Sequence, residues 1–271
     1  MTAVVGEPFA LPEWGPTEDQ ATIEYRAGYL AARHGRYDQA DGAWSRALVS
    51  ASPALAAVVY AARGSAARQF GLHARAEADD ERALSLAEDG PTAAAALIGL
   101  AADRVGHGDL TGASARLVTA VAAVAGLGDA LADDRQRIRL AWVRAEVALM
   151  SGASPPRLPV ARGDGTVDRP AEYRAGTRYH EAKGLLFGGV VRRDAASLAA
   201  AADRAPASLL WAVELARSDL GDPGALARAA AAWGQVVVPA RLRGEVAATA
   251  TTQRLTQGRS LGSSSRAPSA P

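Results

Sequence analysis

The 271-residue sequence contains no cysteine, which excludes a disulfide framework, a thiol nucleophile and any metal site built on thiolates. Histidine is scarce as well, and the spacing of His34, His73, His107 and His180 matches no metal-binding motif. The formal net charge is only +1, so the strongly basic balance typical of nucleic-acid coats is missing. We therefore expect no metal, no cofactor and no nucleic-acid partner.

Long apolar runs are also missing. The first residues, MTAVVGEPFALPEWG, lack a basic region and do not resemble a signal peptide. The longest apolar stretches, around 118–127 and 209–215, are too short to span a bilayer. We expect a cytoplasmic protein without membrane insertion. The single lysine, Lys183, beside many arginines, and an alanine content of about a quarter indicate a bacterial, high-GC genome.

What the chain does contain is helix-forming sequence. Ala, Leu, Arg and Glu dominate, and apolar side chains recur at helical spacing at Ile138, Ala141, Trp142, Ala145 and Leu149. Thr17, with Gln20 three positions later, fits a capping box at the start of the first helix. The sequence thus predicts an all-α protein of about twelve helices in antiparallel pairs, without a convincing strand.

Glycine recurs with a period of 36 to 37 residues, at Gly35, Gly71 and Gly108. Each of them lies between two amphipathic segments, where a helix must end and the chain must turn with positive φ. Further small residues repeat in the same register, at Gly28, Gly64 and Ala101, at Ala40, Ala76 and Ala113, and at Ala47, Ala83 and Ala120. This period, made from two helices, predicts an αα solenoid.

The segments GYLAARHGRYDQA from Gly28, GSAARQFGLHARA from Gly64 and GLAADRVGHGDLTGA from Gly99 resemble the tetratricopeptide repeat, over roughly residues 17–127. In that family small residues let the two helices of a repeat pack closely, and aromatic residues such as Tyr37 and Trp44 fill the space beside them. The resemblance implies a concave groove that binds a protein or peptide. Departures are the longer period and Asp80 at an inner position, where it must face outward or distort the repeat.

The repeat register ends after residue 127, which divides the chain. We expect an N-terminal extended segment (1–16), helical repeats (17–150, including a long helix at about 131–150), and a Pro/Gly-rich loop or linker (151–170). A C-terminal helical subdomain (171–257), which stacks onto or caps the repeats, and a disordered tail (258–271) follow. Turns are predicted at 192–194, 205–206, 221–223 and Pro239.

No motif for catalysis is present: the sequence has no nucleophile elbow, phosphate-binding loop or dinucleotide fingerprint, and we expect no enzyme and no catalytic residue. The acidic run from Glu77 to Glu81 is expected to form a solvated face. His180 is expected to be a surface residue. The densest basic cluster, in which one helix face carries Arg135 and Arg139 and another carries Arg137 and Arg144, is a candidate site for phosphate or an acidic peptide.

The tetratricopeptide resemblance implies which side chains face the groove: Thr22, Tyr25, Tyr29, Ala32 and Arg33, then Val58, Ala61, Ser65, Arg68 and Gln69, then Ala95, Ile98, Ala102, Val105 and Gly106. Among them, the candidate partner-binding residues are Tyr25, Tyr29, Arg33, Arg68 and Gln69, since Tyr and Arg dominate binding hot spots. The alternative is that Tyr25 and Tyr29 pack beneath Phe9, Leu11 and Trp14. The family's carboxylate clamp is absent, because its places carry Tyr25, Tyr29, Ala62, Ala95 and Gly99.

Two functions follow as hypotheses. The favoured one is a non-enzymatic scaffold or adaptor that binds a protein or peptide partner in a concave groove. The alternative is a small-molecule-sensing regulatory module that acts through a partner protein, with the C-terminal subdomain and the 151–170 loop closing over a ligand. A screen by thermal shift distinguishes them, because only the second is stabilised by small molecules.

Overall fold

The computed structural model describes residues 19–128, 131–170, 173 and 177–256, and for 131–133 it describes the backbone alone. The expected N-terminal segment (1–16), Thr17 and the expected tail (258–271) lie outside this part of the chain. The described part is an all-α protein whose helices pack as adjacent antiparallel pairs, which confirms the predicted fold class. None of its helices combines the length and the apolar character needed to cross a bilayer.

Three helix pairs form the N-terminal part: α1 (Gln20–Arg33) with α2 (Tyr37–Ser50), α3 (Pro53–Gln69) with α4 (His73–Leu86), and α5 (Gly90–Gly106) with α6 (Leu110–Ala125). The long helix α7 (Leu131–Ser151) packs against α5 and α6. The glycines of the repeat allow the close approach within a pair. A Cβ atom built on Gly28 lies 2.6 Å from the indole of Trp44, and one built on Gly64 lies 3.0 Å from Oδ1 of Asp80.

The C-terminal part begins with a short antiparallel hairpin, whose strands β1 (Val160–Ala161) and β2 (Val167–Asp168) have two residues each. Two helix pairs follow, α8 (Arg178–Arg192) with α9 (Ala195–Arg204) and α10 (Ala207–Asp219) with α11 (Ala225–Trp233). A single 3₁₀ turn (Ala240–Leu242), α12 (Arg243–Ala247) and a last helix, α13 (250–256), complete the described chain.

Two predictions at this level are wrong. Helix α1 begins at Gln20 and is capped by Asp19, whose carboxylate accepts a hydrogen bond from the amide of Thr22 at 2.7 Å, so Thr17 is not its N-cap. The absence of strands is wrong as well. In the 151–170 segment, the amide of Arg162 donates to the carbonyl of Thr166 at 2.8 Å, and Asp164 accepts from the amide of Thr166 at 2.9 Å. These turn contacts fold a Gly-rich segment into a hairpin.

The predicted turn glycines are confirmed, since Gly35, Gly71 and Gly108 have φ of +74°, +75° and +76°. Each glycine follows the end of the first helix of a pair, and the three glycines have nearly the same φ. The equal geometry explains why the sequence keeps glycine at this register position.

Gly108→Ala isolates the backbone cost of this turn. Among the described residues, no atom lies within 4 Å of a Cβ built on Gly108, so the substitution adds no steric clash. The left-handed conformation alone should lower the free energy of unfolding by about 1–2 kcal/mol, as measured by urea denaturation. Gly244→Ala is the matched control, because a Cβ there is equally uncrowded and Gly244 lies inside α12 without a positive φ. If both variants lost the same free energy of unfolding, the positive φ of Gly108 would not be the cause of the loss.

The chain closes on itself through contacts between its C-terminal segment and the first two helix pairs. The amide of Val237 donates to the carbonyl of Gly35 at 2.8 Å, and the amide of Asp38 donates to the carbonyl of Val237 at 3.2 Å. Two bidentate ion pairs join the same regions: Arg241 with Asp41, and Arg75 with Glu245. The C-terminal part is therefore attached both to α7 and to the turns of the first repeats.

Aromatic packing lies beneath these ion pairs. The ring of Phe70 contacts Tyr37 at a centroid distance of 4.8 Å and Trp233 at 5.9 Å, and Trp233 contacts Trp211 at 5.1 Å. Leu242 and Val246 pack on the same cluster. Each contact between rings is edge-to-face, the geometry that aromatic quadrupoles favour.

Candidate functional site

A cavity of about 370 Å³ lies on the face of the repeats that carries the predicted groove residues. This volume is in the range of small-molecule sites. Its walls come from α1, α2, α3 and α5 of the repeats, from α7, and from α8 and α10 of the C-terminal part. We call this cavity the chamber. Its lining includes Tyr25, Tyr29, Arg33, Tyr37, Trp44, Ser65, Gln69, Asp89, Arg135, Gln136, Arg139, Trp142, Tyr179, His180, Lys183 and Ser208.

Four of the five candidate residues line the chamber: Tyr25, Tyr29, Arg33 and Gln69. Arg33 donates from Nε to the hydroxyl of Tyr29 at 3.0 Å, one helical turn earlier. Gln69 accepts a hydrogen bond from the hydroxyl of Tyr37 at 2.5 Å. Tyr25 is only 6% exposed, and burial raises its pKa to about 12, so its phenol stays protonated near neutral pH.

The fifth candidate, Arg68, is placed differently from the prediction. It does not line the chamber, and its guanidinium is held between the carboxylates of Asp80 and Asp103, the latter at 2.9 Å. Asp80 is completely buried, so the expectation that it faces outward, on a solvated acidic face, is wrong. Burial raises the pKa of Asp80 to about 6, against the attraction of Arg68. The physical reason is that Gly64 and Gly99 leave room for an Asp beside an arginine of α3.

Helix α8 forms the wall that faces α1 and α3. The guanidinium carbon of Arg33 lies 3.4 Å from the ring centroid of Tyr179, which is a cation–π contact. Gln69 donates from Nε2 to the hydroxyl of Tyr179 at 3.4 Å. The predicted groove residues therefore contact a helix of the same chain, about 110 residues further along the sequence.

His180 and Trp142 join α8 to α7 at the floor of the chamber. Their rings stack at a centroid distance of 5.9 Å, and Phe187 stacks on Trp142 at 5.6 Å. His180 is only 5% exposed, so its prediction as a surface residue is wrong. Burial, together with the cations Arg33 and Arg135, lowers the pKa of His180 well below its ordinary value. The imidazole is therefore neutral at physiological pH.

The basic cluster on α7 is split, and the shared face of Arg135 and Arg139 is the part of its predicted arrangement that the structure shows. Arg135 and Arg139 both line the chamber. Arg137 points elsewhere, donating to Asp134 at 3.0 Å and to the carbonyl of Gly128 at 2.6 Å, and Arg144 is exposed. Lys183 of α8 also reaches the chamber, where its ammonium lies 5.0 Å from the ring centroid of Trp142.

Sequence reasoning missed the contribution of α8. Tyr179 and His180 lie four and three positions before Lys183, and this spacing places each of them beside Lys183 on the helix surface. The spacing was visible, but nothing in the sequence indicates that this surface lies against α1 and α3.

Glu146 on α7 gives the region a pH dependence. Burial raises its pKa to about 7, against the attraction of Lys183, Arg68 and His73. The folded-state pKa is above the unfolded value, so folding favours the protonated form. Stability is therefore lost as the pH rises from about 4.5 to about 7, and the loss is complete above pH 7.

Glu146→Gln should consequently raise the free energy of unfolding at pH 8 by about 1–3 kcal/mol and leave it nearly unchanged at pH 5. Gln mimics the neutral carboxyl, whose desolvation penalty is much smaller than that of the ionised carboxylate. Urea denaturation at both pH values measures the difference. Destabilisation at pH 8 would mean that the attraction of Lys183 for the ionised carboxylate outweighs the cost of burying it.

Comparisons of the chain with protein-family models, with curated proteins and with solved structures found no match. The tetratricopeptide resemblance stays a prediction, and the functional interpretation depends on the geometry of the chamber.

Proposed function

We propose that this protein is a non-enzymatic small-molecule-binding module that acts through a partner protein, with the chamber as its ligand site. The observation that carries the proposal is the chamber itself: about 370 Å³ of space, lined by aromatic and cationic side chains from both parts of the chain. Small-molecule sites typically combine an apolar, largely preformed wall with a few polar groups and occur between structural units.

The position of α8 supports a small ligand over a peptide. An α-helix with its side chains is roughly 10–12 Å wide, and an open groove must be free over that width to accept one. Here Tyr179 of α8 contacts Arg33 and Gln69, two residues that a peptide-binding groove would present to its partner. A scaffold function, the other prediction from the sequence, requires α8 to leave this position first.

The proposed role is binding, and the chamber's phenols fit it as neutral polar groups, although the hydroxyl of Tyr37 already donates to Gln69. Burial raises the pKa of Tyr25, Tyr29 and Tyr37, so all three keep their protons near neutral pH. A ligand that contacts both the repeats and the C-terminal part favours the arrangement in which the two parts are packed together. In this proposal the partner protein responds to that change in the population of the packed arrangement.

A thermal-shift screen with a chamber-filling variant tests the proposal. The library contains aromatic amino acids, carboxylic acids, sugar phosphates and nucleotides. Ser65→Phe fills the chamber from α3, and Ala74→Phe adds the same side chain at an exposed position of α4. A compound at 100 times its dissociation constant adds about 2.7 kcal/mol to the stability.

We expect compounds that raise the melting temperature of the wild type and of Ala74→Phe but leave Ser65→Phe unchanged. If no compound acts on the wild type, or if Ser65→Phe responds equally, the chamber is not the ligand site. Binding of a peptide library to the wild type, with no response to small molecules, would favour the scaffold function.

A further inference from the structure

The chamber has an excess of positive charge. Four cationic side chains line it, from three different helices: Arg33, Arg135, Arg139 and Lys183. Among the described lining residues, Asp89 alone carries a carboxylate. That carboxylate is used as the N-cap of α5, where it accepts hydrogen bonds from the amide of Thr92 at 2.6 Å and from its hydroxyl at 3.0 Å.

Apart from Arg33, these cations contact neutral groups within the described chain. Arg139 donates to Oε1 of Gln136 at 3.0 Å and to the carbonyl of Ala95 at 3.4 Å. Lys183 lies over the rings of Trp142 and Phe187. Within the ranges that the structure describes, Arg135 forms neither an ion pair nor a hydrogen bond. Burying cations without counter-charges is unfavourable, so the arrangement gains from an anion placed among them.

The titration of neighbouring groups reflects the same positive field. Burial alone raises the pKa of a phenol, yet the pKa of Tyr179 is lowered, because Lys183, Arg33 and Arg139 favour its anionic form. Burial, together with the cations Arg68 and Arg135, lowers the pKa of Arg139 to about 10. Glu146, the carboxyl coupled to Lys183, has a pKa of about 7 and so neutralises that charge only in part.

Three buried hydrogen-bond donors of the chamber have no hydrogen-bond partner in the described part of the chain, and one of them is Nε1 of Trp44. The other two are Nε1 of Trp142 and the hydroxyl of Ser208, whose residues are only 3% and 2% exposed. Buried donors are nearly always satisfied in folded proteins. All three residues line the chamber, so an acceptor held there supplies a missing partner.

We propose that the chamber binds a small organic anion, a flat apolar body bearing a carboxylate, phosphate or sulfonate group, with Arg135, Arg139 and Lys183 around the anionic group. This inference rests on the proposed function and specifies the chemical class of its ligand. The aromatic walls argue for an organic anion over an inorganic one, because Tyr25, Tyr29 and Trp142 offer ring surfaces that a bare phosphate does not use.

Two fluorescent probes that differ only in an anionic group test the inference. 8-Anilinonaphthalene-1-sulfonate carries a sulfonate, and N-phenyl-1-naphthylamine is the same skeleton without it. Their dissociation constants are measured on the wild-type full chain, on Arg135→Gln/Lys183→Gln, on Ser65→Phe, and on Arg144→Gln. Arg144 lies on the same helix and is exposed, so its variant controls for the loss of charge.

We expect the sulfonate probe to bind the wild type more tightly than the neutral probe. Arg135→Gln/Lys183→Gln should weaken the sulfonate probe by at least about tenfold, because each charge-assisted hydrogen bond contributes about that factor. The same variant should leave the neutral probe unchanged, and Arg144→Gln should change neither. The melting temperature of the ligand-free double variant should be equal to or above that of the wild type, since the variant removes Arg135, which has no counter-charge in contact, and Lys183, which Glu146 neutralises only in part.

The outcomes distinguish a failure of the anion preference from a failure of the ligand site itself. If both probes bind the wild type with equal affinity and Ser65→Phe abolishes both, the chamber is a ligand site and the preference for anions is wrong. If neither probe binds, or if Ser65→Phe binds both as the wild type does, the ligand site itself is wrong. Displacement of the sulfonate probe by equimolar inorganic phosphate would overturn the organic character of the ligand.

Discussion

Replacing Arg68 by methionine should lower the free energy of unfolding by about 3–5 kcal/mol at pH 7. The substitution removes the guanidinium that pairs with the buried carboxylates of Asp80 and Asp103, and it leaves both of them without that cation. Asp80 and Asp103 are both 0% exposed. Without Arg68 the pKa of Asp80 rises further above its ordinary value, so the loss should become smaller as the pH falls from 7 to 5. Urea denaturation at both pH values measures it.

The matched control for Arg68→Met is the triple variant Arg68→Met/Asp80→Asn/Asp103→Asn. It removes the carboxylates together with their cation and should recover most of the lost stability, since a neutral buried group carries a smaller desolvation cost. A loss below about 1 kcal/mol in the single variant would contradict a buried, coupled ion cluster. It would instead fit a guanidinium that is exposed to solvent.

Phe70→Ala is the second substitution with a large expected effect, about 3–5 kcal/mol. Phe70 is 3% exposed and lies between Tyr37 of the repeats and Trp233 of the C-terminal part. Its removal leaves a cavity at the junction that holds the two parts together. Hydrogen exchange should accordingly increase most at 233–246, the segment that packs on this cluster.

Phe187→Ala is the comparison for Phe70→Ala, because Phe187 is only partly buried and stacks on Trp142 within the α7–α8 contact. It should cost less stability and leave exchange at 233–246 unchanged. If Phe70→Ala produced no local increase of exchange in this segment, the aromatic cluster would not be what attaches the C-terminal end to the repeats.

The part of the fold that follows from local sequence could be predicted. Gly35, Gly71 and Gly108 define the turns because no other residue type adopts a positive φ at so low a cost. The spacing of Arg135 and Arg139 indicates a shared face because helix geometry fixes it. The register of the repeat places Tyr25, Tyr29, Arg33 and Gln69 on one surface, and all four line the chamber.

What could not be predicted depends on contacts between distant positions. Tyr179 meets Arg33 and Gln69 across more than 100 residues, and no periodic signal relates α8 to the repeats. Asp80 looks like a surface residue in its charged neighbourhood, and its burial depends on Arg68 of another helix. The burial of His180 involves a contact with a distant helix, because its ring stacks on Trp142 of α7.

The most direct test of the account is the position of α8 against the repeats, because the chamber exists only if α8 forms its wall. Tyr179→p-benzoylphenylalanine keeps an aromatic ring at position 179 and cross-links to neighbouring C–H bonds under ultraviolet light. Mass spectrometry of a tryptic digest of the monomeric product identifies the partner. The account predicts cross-links within one chain to the peptides 27–33 and 69–75, which contain Arg33 and Gln69. Cross-links only between chains, or to neither peptide, would contradict it.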